Sequence, residues 1–255
     1  MDADQDLIQA ADENFIGSYR KLVEHIPEGS DGAFGGIYAF ATGLPISLFN
    51  GCIVATPSRT EDLTSALEWV EDGDVPFRLW IHEELADELG RTARRRGLER
   101  DTWVTPQMVL QPVPELPSPG LGVTIGAVSD VPLLAAYRAI FVEDGMSEGV
   151  AHRLFADSFA ADPDVQLVIA YLDGRPVGTS LAIRSGHVAG VYAVGTVPSA
   201  RRRGVGTAVT WAAVDGARSW GCDTIVLQSS EMGFPMYLAM GFSTVVRYVT
   251  YRTPQ

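Results

Sequence analysis

Cysteine and histidine are scarce in this chain of 255 residues, and their positions argue against a metal site. The two cysteines, Cys52 and Cys222, provide neither a disulfide framework nor the paired spacing of zinc ligands. The four histidines are scattered along the chain, and no two of them have ligand spacing. We therefore expect a protein that holds no metal.

Long apolar runs are also absent. No run approaches the ~20 apolar residues that a membrane-spanning helix requires. The segment Met1–Asp6 is acidic, whereas a secretory signal begins with basic residues. These two features predict a cytoplasmic protein that does not insert into a membrane.

Positive charge is in short supply as well. The formal net charge is −13, and Lys21 is the only lysine. Residues 1–120 carry a net charge of −12 and residues 121–255 a net charge of −1. Binding of nucleic acids in general needs a basic surface, so it is not expected. The acidity either keeps the protein soluble or attracts cationic, amine-bearing substrates, and the sequence leaves both open.

A proline-rich stretch marks the clearest boundary. Residues 111–120 contain four prolines, which stop regular structure and favour an extended spacer. The length and the 46% hydrophobic content suffice for two domains of ordinary size. We predict one domain at residues 1–115 and a second at residues 121–255.

A segment rich in arginine and glycine has the pattern of an anion site. The strand-like run His187–Val197 is followed by Arg201–Gly206 and then by a helical pattern. The glycines let backbone N–H groups approach phosphate oxygens, and the helix N-terminus adds partial positive charge. A dinucleotide fingerprint would need a third glycine where Val209 stands, and a P-loop would need a lysine that is missing here. The segment therefore predicts a site for another phosphorylated cofactor.

A second motif completes a recognisable pair. After the strand-like run Cys222–Gln228 comes Tyr237-x-x-x-Gly241-Phe242. In this order and spacing, Arg201-x-x-Gly204-x-Gly206 and the tyrosine motif make residues 121–255 resemble the GCN5-related N-acetyltransferase (GNAT) superfamily. The family's two motifs read Gln/Arg-x-x-Gly-x-Gly/Ala and Tyr-x-x-x-Gly-Phe.

The resemblance implies an α/β fold whose C-terminal half has a mixed central sheet in the order β-α-α-β-β-β-α-β-α-β. Sequence patterns in that half predict strands at Gly122–Val128, Val165–Leu172, Val177–Arg184, His187–Val197 and Thr224–Gln228, a last strand ending near Tyr251, and helices from the cap Asp130 to Phe141 and at Glu148–Phe159, Val205–Trp220 and Gly233–Met240. A smaller α/β domain, a degenerate GNAT-like half, is expected before it. Its predicted elements are helices at Asp6–Ile26, Arg59–Val70 and Glu83–Arg96 and strands at Phe34–Phe40, Ile46–Ala55, Phe77–Ile81 and Trp103–Leu110.

The N-terminal half contains a near-copy of the arginine–glycine segment. Ala93–Glu99 nearly repeats Ala200–Gly206, but Glu99 replaces the second glycine and would repel a phosphate. The arginines favour a helix C-terminus, where Gly97 supplies a left-handed cap. We predict a helix end here and a single cofactor site in the chain.

The resemblance also implies which residues hold acetyl-CoA. The backbone of Arg202–Thr207 would cradle the pyrophosphate, and the arginines would screen it or reach the 3′-phosphate. The preceding strand would pair with the pantetheine arm, and one of its N–H groups would stabilise an oxyanion; Gly195 fits either close ligand approach or a bulge. The expected cofactor-binding set is Val194, Gly195, Thr196, Arg201, Arg202, Arg203, Gly204, Val205, Gly206, Thr207 and Ser230.

The expected catalytic residue is Tyr237, whose phenol would protonate or hydrogen-bond the departing CoA thiolate. Ser230 would cap the helix of Tyr237 or contact the cofactor. The base that accepts the amine proton stays open among Glu143, Asp144, Glu148, Glu231 and His187.

The resulting functional prediction is an acetyl-CoA-dependent N-acetyltransferase that moves an acetyl group to a primary amine by direct transfer in a ternary complex. The acceptor would be a small amine or a peptide N-terminus, and the chain a monomer or a homodimer. The alternatives are another acyl-CoA donor and a non-catalytic protein that senses acyl-CoA or binds a partner.

Overall fold

The computed structural model describes residues 3–117 and 122–254, which divide into two units. Of the described residues, the first unit contains 3–108, 228–235 and 243–254, and the second contains 109–117, 122–227 and 236–242. In the predicted linker, residues 111–117 form neither helix nor strand, and residues 118–120 lie outside the described part, as do Met1 and Asp2. The domain division at 1–115 and 121–255 stays a prediction.

The elements follow one another along the chain as helices and strands of mixed order. They are α1 (Ala3–Glu24), β1 (Ser30–Phe34), β2 (Ile37–Ala41), β3 (Asn50–Val54), α2 (Thr60–Glu71), β4 (Arg78–His82), α3 (Ala86–Arg95), β5 (Glu99–Arg100), β6 (Thr105–Leu110), β7 (Val123–Ala127), α4 (Val131–Glu143), α5 (Glu148–Leu154), α6 (Asp157–Ala160), β8 (Val165–Leu172), β9 (Arg175–Ser185), β10 (Val188–Thr196), α7 (Val205–Ser219), β11 (Thr224–Gln228), α8 (Phe234–Ala239) and β12 (Ser243–Arg252).

In the first unit, a sheet in the order β1-β2-β3-β4-β12-β6 separates two cores. On one face α2 and α3 cover alternate strand residues such as Cys52 and Leu79. On the other face α1 contributes Phe15 and Tyr19 to an aromatic cluster with Phe40. The period-two alternation of strand side chains thus supplies both faces with apolar groups.

In the second unit, the sheet order is β11-β10-β9-β8-β7. Neighbouring strands are antiparallel except for β10 and β11, which are parallel. Helix α7 packs on this sheet, where the Ser180 hydroxyl donates to the Val209 carbonyl at 2.6 Å. The predicted mixed α/β fold class is found, and β12, the last strand, pairs with β4 in the first unit.

Two predicted elements are split. The single helix expected at Glu148–Phe159 is broken into α5 and α6, because the buried Arg138 guanidinium donates to the Phe155 carbonyl (2.9 Å from Nε) and to Asp157 (2.7 Å). The single strand expected at Phe34–Phe40 instead covers the last residue of β1, the hairpin turn and most of β2. The chain turns at Gly35, which has a φ of 61°. Both differences arise from contacts or turns that hydrophobic periodicity does not report.

The two units repeat one pattern. The series β1-β2-β3-α2-β4-α3 and β8-β9-β10-α7-β11-α8 have the same order, two antiparallel pairings and one parallel pairing. The prediction that the N-terminal half is a second version of the C-terminal fold therefore has a topological basis.

Asp130 caps α4, as the sequence predicts. Its carboxylate accepts from the Leu133 N–H at 2.8 Å. We expect Asp130→Ala to lower the free energy of unfolding by about 1 kcal/mol, whereas Asp130→Asn, which keeps an acceptor, should lose only a fraction of that. Denaturant unfolding of the three proteins measures this difference, and equal midpoints for Asp130→Ala and wild type would contradict the capping role.

Candidate cofactor and catalytic site

The arginine–glycine segment forms a tight entry into α7. Gly204 occupies the N-cap with φ of 79° and ψ of 2°, and Arg202 also has a positive φ of 61°. No acidic residue lies in the first turn of α7, so the N–H groups at its start face no negative charge from that turn. This geometry is suited to an anionic group.

The side chains of the segment divide into exposed and buried ones. Arg201, Arg202 and Arg203 are exposed, and Arg201 is held by the Thr196 carbonyl at 3.2 Å and by Asp144 at 3.3 Å. The Val205 side chain is buried, because it packs on β9 at Gly178, where an added Cβ would lie 2.3 Å from its Cγ1. Val205 therefore anchors the helix start through its side chain and can offer a ligand only its backbone.

Strand β10 separates from β11 before it reaches this loop. The parallel register joins Val188–Gly190 to Thr224–Val226, whereas β10 continues to Thr196. The half-buried residues Val194, Gly195 and Thr196 lie in this continuation. An opening between two parallel strands, directly before a glycine-bounded helix start, leaves room for an extended arm to pair with β10.

A β-bulge lies in the same part of β10. Tyr192 pairs with Leu181 and Gly195 with Thr179, so Ala193 and Val194 both stand opposite Ser180. Ala193 has a φ of 49°, which is unusual for a residue with a side chain. Of the two explanations that the sequence left open for Gly195, the bulge is present.

The start of α7 lies next to α8. A Cβ built on Gly206 would be 3.3 Å from the Met236 sulfur and 3.8 Å from the Thr196 hydroxyl oxygen. Gly206 thus keeps the helix start, the end of β10 and the residue before Tyr237 within contact distance.

Tyr237 is the buried aromatic of α8, with 7% of its surface exposed. Its ring packs edge-on against Phe242, with the centroids 5.8 Å apart. Burial raises the pKa of the Tyr237 phenol to about 12, since a phenolate would be poorly solvated there. The group therefore keeps its proton at neutral pH and can act as a donor.

Comparison with known proteins decides the family. The acetyltransferase (GNAT) family model matches residues 133–242. The aminoglycoside N(6')-acetyltransferase type 1 of Klebsiella aerogenes is 35% identical over 113 residues, which cover 39% of this chain and 73% of that protein. The chain belongs to the GNAT acetyltransferase family. It is accordingly an acyltransferase, and GNAT acetyltransferases use acetyl-CoA as co-substrate.

Solved GNAT structures extend the likeness to both halves. A GCN5-related N-acetyltransferase from Kribbella flavida superposes with a TM-score of 0.69 at 20% identity, over 98% of this chain and 96% of that one. A tandem GNAT protein from the clavulanic acid biosynthesis pathway superposes with a TM-score of 0.60 at 12% identity, over 99% of this chain and 97% of that one. At these identities the likeness concerns the fold, and it supports a C-terminal GNAT half preceded by a GNAT-like N-terminal half.

The N-terminal GNAT-like half differs from the C-terminal half at each feature of the site. Its strands β3 and β4 stay paired to the end of β3 at Val54, and β2 and β3 pair without a register shift. The connection Ala55–Arg59 contains no glycine. In the part of the chain that the structure describes, this half therefore has neither the splayed strands nor the bulge nor the glycine turn.

The near-copy at residues 93–99 ends a helix, as predicted. The Leu98 N–H donates to the Ala93 carbonyl at 3.1 Å, and Gly97 has a φ of 80°. The Phe242 N–H donates to the Tyr237 carbonyl at 3.0 Å across Gly241 in the same way. The near-copy therefore corresponds in the fold to the tyrosine motif, with Ala93 in the position of Tyr237.

Ser230 takes part in the turn before α8. Its hydroxyl accepts from the Gly233 N–H at 3.2 Å, and its carbonyl accepts from the Phe234 N–H at 3.0 Å. The hydroxyl therefore closes the turn that leads into α8. Contact between Ser230 and the cofactor stays a prediction.

The candidate bases have different positions. Glu143 pairs with Arg175 at 2.8 Å, and Asp144 pairs with Arg201 at 3.3 Å. Glu148 lies in the first turn of α5 and is exposed, as is Glu231. His187 precedes the first residue of β10, whereas the bulge is near its other end, about 20 Å away along an extended strand. His187 is therefore too distant to serve as the base at the bulge.

Within residues 3–117 and 122–254, no group of three or more His, Cys, Asp or Glu side chains is placed to hold a metal ion. None of the helices that the structure describes has the length and hydropathy needed to cross a membrane.

Proposed function

We propose that the C-terminal half transfers an acetyl group from acetyl-CoA directly to a primary amine, with both substrates bound together. One observation carries this proposal: β10 is bulged and separated from β11 directly before the Gly204 helix start. This arrangement offers a slot for the pantetheine arm and an anion site for the pyrophosphate on consecutive segments.

The residues present suit acetyl-CoA. The N–H groups at the start of α7, around Gly204 and Gly206, would face the pyrophosphate, because a helix N-terminus favours negative charge. Arg202 and Arg203 would add positive charge at the surface. The backbone of Val194, Gly195 and Thr196 would pair with the amides of the arm in place of β11.

Acetyl-CoA supplies an activated acyl group as a thioester: a C–N bond forms as the C–S bond breaks, the amine loses a proton and the thiolate takes one. A backbone N–H of the β10 bulge would donate to the carbonyl oxygen as negative charge develops there. Tyr237 would donate its phenolic proton or a hydrogen bond to the sulfur. Cys222 lies before β11 rather than in the continuation of β10, so direct transfer is favoured over an acyl-enzyme.

The acceptor that we favour is a small cationic amine. The relative from Klebsiella aerogenes is an aminoglycoside N(6')-acetyltransferase, and aminoglycosides are polyamines. The net charge of −13 would attract such a molecule, an effect that weakens as salt screens it. A peptide N-terminus would carry less positive charge, so the net charge of the protein would attract it less strongly.

A thiol-release assay with acetyl-CoA and a panel of acceptors tests the proposal. The panel contains an aminoglycoside, a linear polyamine, a neutral amino acid amide and a peptide with a free N-terminus. We expect the highest kcat/KM for a polycationic amine, with KM rising as salt is added. Acetyl-CoA binding without thiol release from any amine would contradict transfer and favour a sensor, and faster release from propionyl-CoA would identify another donor.

A further inference from the structure

A fully buried threonine on β9 contacts the bulge of β10. The Thr179 side chain has no exposed surface, and its hydroxyl donates to the Ala193 carbonyl at 2.9 Å. Ala193 is the residue with the φ of 49°, and the β9 ladder skips it together with Val194. The threonine hydroxyl therefore donates to the carbonyl of a residue that has no register partner on β9.

The direction of this bond fixes the direction of the next N–H. The C=O and N–H of a trans peptide point in opposite directions, so a carbonyl of Ala193 aimed at Thr179 turns the Val194 N–H away from Thr179. Gly178 and Ser180 contact Val205 and Val209 of α7, and strand side chains alternate between faces. Thr179 therefore lies on the sheet face opposite α7, and the Val194 N–H points away from β9, on the side of β10 from which β11 has separated.

The space around the hydroxyl is restricted as well. Gly195 is the register partner of Thr179, and a Cβ at Gly195 would lie 3.0 Å from the Thr179 hydroxyl oxygen. A side chain at position 195 would therefore press on the hydroxyl that holds the bulge. Gly195 has a reason to be glycine even without a ligand.

We propose that Thr179 is a positioning residue for acetyl transfer: its hydroxyl holds the Ala193 peptide so that the Val194 N–H faces the acyl carbonyl of the donor. This role rests on the proposed function. Because Thr179 is fully buried and bonds the Ala193 carbonyl, losing its hydroxyl should misdirect the Val194 N–H and lower kcat without weakening the binding of the pyrophosphate. Removing a donor to an oxyanion lowers kcat by about 10²–10³, and misdirecting one should lower it less, by about 10-fold.

The test compares Thr179→Val, which keeps the shape and loses the hydroxyl, with Thr179→Ser, which keeps the hydroxyl. Ser180→Ala is the matched control, because it removes a buried hydroxyl from the same strand whose bond to Val209 lies on the other face. We expect Thr179→Val to lower kcat about 10-fold with an unchanged Kd for CoA, and Thr179→Ser and Ser180→Ala to stay within about twofold of wild type. The unfolding temperature (Tm) should fall by a similar amount in Thr179→Val and Ser180→Ala.

Each outcome decides the proposal. A wild-type kcat in Thr179→Val, or an equal loss in Ser180→Ala, would overturn the role of Thr179 and leave the proposed function standing. A wild-type chain that binds acetyl-CoA but acetylates no amine would overturn the proposed function and this role together. If Thr179→Val does not fold, Thr179→Ala is measured against Thr179→Ser with the same expectations.

Discussion

Replacing Tyr237 by phenylalanine should lower kcat for acetyl transfer by about 100-fold or more, because a positioned general acid contributes about 10²–10⁴ to a rate. The change removes only the hydroxyl and keeps the edge-on contact between the ring and Phe242. The Kd for acetyl-CoA should stay within about twofold of wild type, since the phenol acts on the departing sulfur in the transition state. Steady-state kinetics and a binding titration on the same preparation measure both quantities.

The buried position of the Tyr237 phenol also sets the expected pH dependence of the variant. Burial raises the pKa of the Tyr237 phenol to about 12, so the group stays protonated throughout the range in which the protein can be assayed. The ratio of wild-type to Tyr237→Phe rates should therefore be constant from about pH 6 to about pH 10. Activity in both proteins should rise with pH as the amine acceptor loses its proton, with no descending limb from Tyr237.

Tyr137→Phe is the matched control for a lost phenol. Tyr137 belongs to α4 and is fully buried, and its hydroxyl donates to the Ser180 carbonyl at 3.3 Å. This variant should lose some stability and keep the wild-type rate. A Tyr237→Phe variant as active as Tyr137→Phe would rule out the catalytic role.

Local sequence patterns were sufficient to predict most of the helices and strands of the fold. The glycine turn before α7 and the cap at Gly241 were predictable because left-handed backbone there is tied to glycine. The hairpin turn at Gly35 had a similar signal in its paired glycines, which the single predicted strand at Phe34–Phe40 overlooked. Element types in the C-terminal half were predictable for the same local reasons.

The parts of the site that went unpredicted depend on distant residues. Ala93 and Tyr237 occupy corresponding positions, and the correspondence is visible only from the repeated element order of the two units and from the hydrogen bonds at the two helix ends. The bulge places Ala193 at a positive φ, where alanine gives no sequence signal, and Thr179, fourteen residues earlier, holds it there. The break at Phe155 similarly depends on the Arg138 guanidinium from another helix. Non-local hydrogen bonds of this kind leave no periodic trace in a sequence.

The near-copy of the arginine–glycine segment provides a matched test of the cofactor site. Gly204 and Gly97 have φ values of 79° and 80°, and no heavy atom lies within 4 Å of a Cβ built on either. Glutamate at either position should therefore cost a similar amount of stability, about 1–2 kcal/mol, for holding a side chain in the left-handed region. The two variants differ only in whether the new carboxylate faces an anion site.

We expect Gly204→Glu to weaken acetyl-CoA binding by about 100-fold or more, which corresponds to at least about 2.7 kcal/mol, because a negative charge would replace the partial positive charge at the start of α7. Gly97→Glu should bind acetyl-CoA as wild type does, since Gly97 lies at the C-terminus of α3. Calorimetric titration of both variants with acetyl-CoA, alongside their unfolding curves, measures the contrast. Equal affinities in the two variants would show that the glycine turn at residue 204 does not hold the pyrophosphate, however closely its sequence matches the family motif.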